Sequence, residues 1–225
     1  MSSETARFHM VDSQLRPNKV TDERVLAAFE RIRRELFAPE ALRAIAYVDE
    51  DVPLGGGRAM MEPMVAARLL QAAALERTDL ALVVGAGSGY EAAVTAMLAR
   101  NVVALEEDPD LARRARAALV EHGIATVEVV EGPLHEGWRI RAPYDAILFG
   151  GAITEVPAAI RGQLADGGRL LAVIRCDGGP AGGLGGGIGR AVLLTRIGGA
   201  FGQRPLFDAA IPLLPGFAAK PAFVL

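Results

Sequence analysis

Apolar and polar positions follow two different rhythms along this chain. Up to about residue 75 the apolar residues recur at helical spacing. Val25, Leu26, Phe29, Ile32 and Phe37 fall close to i, i+3 and i+4, with Glu23, Arg24, Glu30, Arg31, Arg33 and Arg34 between them. Pro39 interrupts this run. The stretch from about Tyr47 to Ala59 carries Asp49, Glu50, Asp51, Pro53 and Gly55-Gly56-Gly57, and reads as a loop. Glu62-Pro63 opens another helix, with proline in its first turn, running to about Leu75. Each of these helices offers one apolar face, so residues 1–75 are expected to pack on a neighbouring core as a helical extension.

From Asp79 the rhythm changes. Short apolar runs, Leu80–Val84, Val102–Glu106, Val127–Glu131, Ala146–Phe149 and Arg169–Ile174, are apolar at both parities. That pattern predicts strands buried on both faces of a parallel sheet. Helical segments Tyr90–Arg100, Asp110–His122 and Glu155–Leu164 lie between them, with Asp108-Pro109 marking the start of the second. Asp177 to Gly189 is dense in glycine and reads as a mobile loop. Ala191–Ile197 and Leu206–Leu213 then read as an antiparallel strand pair closing the sheet, with Gly198-Gly199 and Gly202 between them. The expected fold is α/β: a seven-stranded, mostly parallel Rossmann-like sheet over residues 76–225, with the extension at 1–75.

The most informative stretch is Val83-Val84-Gly85-Ala86-Gly87-Ser88-Gly89-Tyr90. A strand, a glycine turn and a helix in succession make a nucleotide-type cofactor site. The glycines allow a tight turn and a close ligand approach, and the helix N-terminus offers free N–H groups. Spacing selects the cofactor. A dinucleotide fingerprint needs its third small residue at position 90, which is Tyr90; here the third glycine comes one residue early, at Gly89. G-x-G-x-G suits S-adenosylmethionine, which brings no pyrophosphate over the turn. The second half of such a site is an acid ending the next strand, where it accepts from ribose hydroxyls. Glu106 ends that strand, about 20 residues downstream, the interval of one βαβ step.

Composition narrows the class. The chain has 225 residues, 51% of them hydrophobic, and a net charge of −3. The charge argues against a nucleic-acid partner held by bulk electrostatics. The one cysteine, Cys176, permits no internal disulfide, and no apolar segment resembles a signal peptide or reaches the roughly 20 residues that span a bilayer. A cytoplasmic protein with no membrane partner is expected. His9, His122 and His135 are far apart and lack partners at metal-ligand spacing, so no metal site is expected.

Longer segments resemble a known family. Five parallel strands, an antiparallel pair, the glycine turn and Glu106 look like a class I methyltransferase. Met10-Val11-Asp12-Ser13-Gln14-Leu15, Arg34-Glu35-Leu36-Phe37-Ala38-Pro39, Ala46-Tyr47-Val48-Asp49, Gly89-Tyr90-Glu91-Ala92-Ala93-Val94, Gly137-Trp138, Ala142-Pro143-Tyr144-Asp145-Ala146-Ile147 and Gly162-Gln163-Leu164-Ala165-Asp166-Gly167-Gly168-Arg169-Leu170 resemble protein-L-isoaspartate O-methyltransferases, in the same order along nearly the whole chain. The resemblance implies S-adenosylmethionine as cofactor and, as partner, a protein or peptide carrying isoaspartate. It implies a cofactor site at Gly85, Ala86, Gly87, Ser88, Gly89, Glu106, Glu107, Gly132 and Pro133, and a substrate loop over Gly57–Pro63.

Two segments depart from that family. Its substrate loop reads Gly-x-Thr-x-Ser-x-Pro; here Gly57-Arg58-Ala59-Met60-Met61-Glu62-Pro63 puts Ala59 and Met61 where the hydroxyls stand. Its Gly-Asp-Gly after the third strand, whose Asp lies beside the adenine end, is Gly132-Pro133-Leu134. Arg58, Ala59 and Met61 are thus the candidate catalytic-loop positions. Arg58 has two readings: a guanidinium fork for a carboxylate substrate, or a solvated loop residue or partner of Glu62. Met60, Met61 and Met64 either line an apolar pocket or fill gaps. Trp138 is expected to pack under the sheet edge, Asp145 to sit at a strand end near the cofactor pocket, and Cys176 to take no part. Three activities stay open: isoaspartyl methylation, methylation of another acceptor, and cofactor binding without turnover.

Overall fold

The computed structural model describes residues 2–175 and 187–217. Ser2 caps helix α1 (Ser3–His9), its hydroxyl accepting the Thr5 N–H at 3.2 Å. The chain continues as a wider π-wound segment, Met10–Leu15, which buries Met10 and Leu15. Helix α2 (Glu23–Arg31) starts at Asp22, whose carboxylate accepts the Arg24 N–H at 2.9 Å. The helical periodicity reaching Phe37 is not one helix. Ile32 is extended, the Arg33 N–H is taken by Nε2 of His122 at 2.9 Å, and a separate 3₁₀ turn, Arg34–Leu36, delivers Phe37 to the same core.

The stretch expected to be a loop after Tyr47 forms a hairpin. Strands β1 (Val52–Gly55) and β2 (Arg58–Met60) pair antiparallel, Val52 opposite Met60, and Gly55-Gly56-Gly57 make the turn. Val52, Leu54 and Met60 point inward and are buried, which explains why so short a pair persists. Helix α3 (Pro63–Ala73) follows and ends at Ala74 in the left-handed region.

The main sheet contains β3 (Leu80–Val84), β4 (Asn101–Glu106), β5 (Val127–Glu131), β6 (Tyr144–Ile153), β7 (Leu164–Ile174), β8 (Ile188–Ile197) and β9 (Ala200–Ala210), in the order β5-β4-β3-β6-β7-β8-β9. Neighbours from β5 to β7 are parallel, and β8 runs antiparallel to both β7 and β9. Helices α4 (Tyr90–Ala96), α5 (Pro109–Glu121) and α6 (Ala158–Arg161) connect the parallel strands. Alternate residues of β3 enter two cores: Ala81 and Val83 meet the N-terminal helices, while Leu82 and Val84 pack with Phe149 and Leu214 on the other face. Strand order reverses at β3, between β4 and β6, the point where open α/β sheets bind ligands beyond the carboxyl ends of the strands.

Several boundaries differ from the sequence expectation. Helix α4 stops at Ala96, and α6 keeps only four residues because β7 already begins at Leu164. Strand β9 begins at Ala200, directly after a tight Gly198-Gly199 turn, rather than at Leu206. Residues 211–214 leave the sheet and clip onto the end of β6: Ala152 N–H donates to Pro212 O at 2.9 Å, and Leu214 N–H donates to Ala152 O at 2.8 Å. Cys176 and residues 177–186 of the glycine-rich segment lie outside the described residues. Among the described residues no helix is long and apolar enough to cross a membrane.

Candidate functional site

The turn after β3 is drawn tight by backbone bonds. Gly85 N–H and Ala86 N–H both donate to Leu105 O, at 2.9 and 3.0 Å, and Gly89 N–H donates to Ala86 O at 2.9 Å. Gly85, Gly87 and Gly89 have φ of +75°, +58° and +95°, values that L side chains rarely adopt. Gly150, near the end of β6, backs the turn so closely that a Cβ there would lie 2.2 Å from Gly85 O. Ala86 and Ser88 are buried, and the Ser88 hydroxyl has no hydrogen-bond partner among the described residues.

Glu106 ends β4 and is fully buried. Its Oε2 accepts Gly87 N–H at 2.7 Å; its Oε1 accepts Glu107 N–H at 3.0 Å and Asp108 N–H at 3.1 Å. These backbone donors fix the carboxylate at the lip of the glycine turn. Arg58 reaches the same carboxylate with both arms, Nη1 to Oε1 at 2.6 Å and Nη2 to Oε2 at 2.9 Å. Arg58 is therefore neither solvated nor paired with Glu62. It is buried, and its partner is the Glu106 carboxylate. That partner lies 48 positions away, which no local pattern reveals.

Side chains from three segments lean on the turn. A Cβ at Gly85 would meet Leu214 Cδ2 at 2.7 Å and Arg58 Nη2 at 3.2 Å; one at Gly87 would meet Leu54 Cδ1 at 2.9 Å. Beside them is a small cleft lined by Asp51, Arg58, Ala59, Met61, Gly151 and Leu214, among others. Ala59 and Met61 both face this cleft, and neither carries a hydroxyl.

Beneath the hairpin sits a buried polar frame that sequence reasoning missed. Arg34, fully buried, donates from Nε to Ala46 O at 2.6 Å and from Nη2 to Met61 O at 2.7 Å, with its guanidinium 4.7 Å from the Tyr90 ring centroid. Met61 N–H donates to Glu91 Oε1 at 3.1 Å. Burial raises the Glu91 carboxyl above its ordinary range, with Arg34 pulling it back. Asp51 Oδ1 accepts Glu62 N–H at 2.8 Å, and burial raises the Asp51 carboxyl as well. Glu62, half-buried, is pushed up to about 7 by desolvation first and then by the charges of Asp51 and Asp49. The one local signal was Glu91, a lone acid in the otherwise apolar run Tyr90–Ala96, since charged residues are almost never fully buried unless paired; Arg34, between Arg33 and Glu35, gave none.

Gly132 N–H donates to Glu106 O at 3.1 Å, so the loop after β5 borders the site, and Pro133 and the Glu107 side chain are exposed at its rim. Trp138 packs over Gly132, whose Cβ would lie 3.3 Å from the indole. Asp145 is not near the cofactor pocket. Its Oδ2 accepts Leu80 N–H at 2.8 Å, at the start of β3, because β6 enters the sheet at the edge opposite the glycine turn. Met60 is buried and Met64 half-buried, both packed in the core on the hairpin side. His122 stacks on Phe37, and among the described residues no group of His, Cys, Asp or Glu is placed to hold a metal ion.

The backbone fits a ribose-bearing cofactor: three positive-φ glycines make the cradle, and three N–H groups hold an acid at the following strand end. The side chains add a condition. Arg58 engages both oxygens of that acid, so a ribose there would have to displace its guanidinium.

Known proteins align with this geometry. A family model described as protein-L-isoaspartate(D-aspartate) O-methyltransferase matches residues 6–178. A protein-L-isoaspartate O-methyltransferase of Methanoculleus marisnigri is 42% identical over 168 residues, covering 75% of this chain and 76% of that protein. A protein-L-isoaspartate O-methyltransferase 2 of Marinobacter nauticus is 43% identical over 175 residues, covering 77% and 79%. A solved Plasmodium falciparum structure, assigned to the same activity and carrying S-adenosyl-L-homocysteine, superposes with a TM-score of 0.77 at 20% identity, over 92% of this chain and 97% of that one. At that identity the match speaks for the fold.

Proposed function

The chain belongs to the protein-L-isoaspartate(D-aspartate) O-methyltransferase family, and from that premise we propose that it transfers the methyl group of S-adenosylmethionine to the α-carboxylate of an isoaspartyl residue in a damaged protein. The observation that carries this reading is Glu106, buried at the end of β4 and held by three backbone N–H groups beside a positive-φ glycine turn. Gly85, Ala86, Gly87, Ser88 and Gly89 would cradle the cofactor, Glu106 would accept from its ribose, and Glu107, Gly132 and Pro133 would border the adenine end. The division of labour follows the chain: residues 1–75 bring the substrate loop and 76–225 the cofactor half. The single cysteine accords with a cytoplasmic setting.

When bound, the cofactor supplies an electrophilic methyl group on a sulfonium. The acceptor carboxylate is ionised at neutral pH, its ordinary pKa being about 4, so the chain has no proton to move. Its residues need to align the acceptor oxygen and keep water out. The methylated carboxylate would then be open to attack at its carbonyl carbon by the neighbouring backbone nitrogen, with methanol leaving, and that cyclisation would begin repair. Ala59 and Met61 offer no hydroxyl to the acceptor, and the Met61 N–H and C=O are committed to Glu91 and Arg34. Losing one orienting donor costs about 3 kcal/mol in comparable active sites, which predicts a slow enzyme. The same observation favours a second reading, a methyltransferase whose acceptor is another carboxylate or a hydroxyl.

Labelled methyl transfer to an isoaspartyl peptide and to its aspartyl twin separates the two. Turnover of the isoaspartyl peptide alone is the expected result. Binding of S-adenosylhomocysteine without turnover of either peptide would rule out the repair reaction and favour another acceptor.

A further inference from the structure

We propose that Arg58 is an internal competitor of the cofactor, a latch that closes Glu106 until the β1–β2 hairpin lifts. This rests on the reading of Glu106 as the ribose acceptor. A carboxylate has about four lone-pair sites. Glu106 already accepts three backbone N–H groups, from Gly87, Glu107 and Asp108, and two more from Arg58. Five donors saturate it. Of the three backbone donors, Gly87 lies in the glycine turn and Glu107 and Asp108 in the junction between β4 and α5, all fixed by the fold, so Arg58 is the donor that can yield its places to ribose hydroxyls.

The hairpin that carries Arg58 is built to move. It is a two-stranded sheet of its own and shares no strand with the main sheet. Its base is anchored where Arg34 holds Met61 O, whereas a Cβ on Gly55, Gly56 or Gly57 would meet nothing within 4 Å. The tip can therefore rise without collision, carrying the guanidinium from a buried position toward water, where it regains hydration. Glu106 stays compensated throughout by its backbone donors. Leu54, on the same hairpin, leaves Gly87 in the same motion and clears the cradle.

Titration calorimetry with S-adenosylhomocysteine on the full chain tests this, comparing wild type with Arg58→Ala. Without the latch, binding is expected to tighten at least tenfold. Arg58→Met keeps the apolar stem and guards against a folding failure in the alanine variant; it should shift the same way. In wild type, saturating S-adenosylhomocysteine should speed amide exchange across β1 and β2. Equal affinity in all three proteins would sink the latch and leave the cofactor reading standing, as would weaker binding by both variants. No binding by any of them would overturn the cofactor reading, and the latch with it.

Discussion

The glycine turn after β3 and the β1–β2 hairpin above it meet at one carboxylate, yet they are held by different forces. The turn is shaped by backbone: three positive φ angles, paired N–H donors to Leu105 O, and Gly150 packed against it without a side chain. The hairpin is held by charge taken out of water: Arg34 on the Met61 carbonyl, Glu91 on its N–H, and Arg58 on Glu106. Backbone geometry of the first kind has one low-energy arrangement. Buried charges of the second kind are satisfied only while every partner stays in place. The rigid half is thus suited to receive a ligand, and the half held by charged side chains is the one in which a side chain, Arg58, can exchange its partner.

Three substitutions would break or sharpen this contrast. Arg34→Met strikes the charge-held half hardest. It leaves Glu91 without its nearby cation and frees the Ala46 and Met61 carbonyls, for an expected loss of about 3 to 5 kcal/mol in urea unfolding. A loss below about 1 kcal/mol would show that the hairpin stands without its buried charge. Gly150→Ala strikes the backbone-held half. Its Cβ would lie 2.2 Å from Gly85 O, so the turn must shift, at a cost of about 1 to 3 kcal/mol and with weaker S-adenosylhomocysteine binding. Unchanged binding would mean that the turn tolerates distortion.

Glu62→Gln gives the smallest effect and the most specific signature. The Glu62 carboxyl rises from its ordinary 4.5 to about 7 in the folded chain, so the native state holds the proton more tightly than the unfolded state. Its contribution is complete below pH 4.5 and is lost as pH climbs through 7. Glutamine should flatten that slope and stabilise the protein at pH 8, by no more than about 1 kcal/mol because the group is half-exposed. Melting temperatures from pH 4.5 to 8 would check it. Asp51, raised by burial, leaves a residual slope of the same sign.

What was legible in the sequence follows the same division. The glycine turn, Glu106 and the parallel strands are written locally, in residues a few positions apart whose backbone demands are unusual. The role of Arg58 was not, because its partner is distant and an arginine among glycines reads equally as solvated. The three glycines at 55–57 suggested a loop and hid a hairpin whose inward face is short: Val52, Leu54, Arg58 and Met60. Asp145 was misplaced because a residue flanking a strand can sit at either edge of a parallel sheet, and only the direction of β6 decides which. The Arg34 frame was invisible for the opposite reason: its residues fit a helical pattern, and nothing in the periodicity marks one arginine as buried.

The neighbourhood of β3 and β6 also sets an order of events when the chain folds. Strands β3, β4 and β5 can pair in succession, each joined to the next by a single helix, whereas β6 begins 60 residues after β3 ends (84 to 144). Contacts this distant in sequence are slow to form, because the intervening chain must be ordered first. Gly150 therefore reaches Gly85 late, and the clip of Pro212 and Leu214 onto Ala152 later still, once β7 to β9 are in place. In a refolding time course, helical signal should return before the ability to bind S-adenosylhomocysteine.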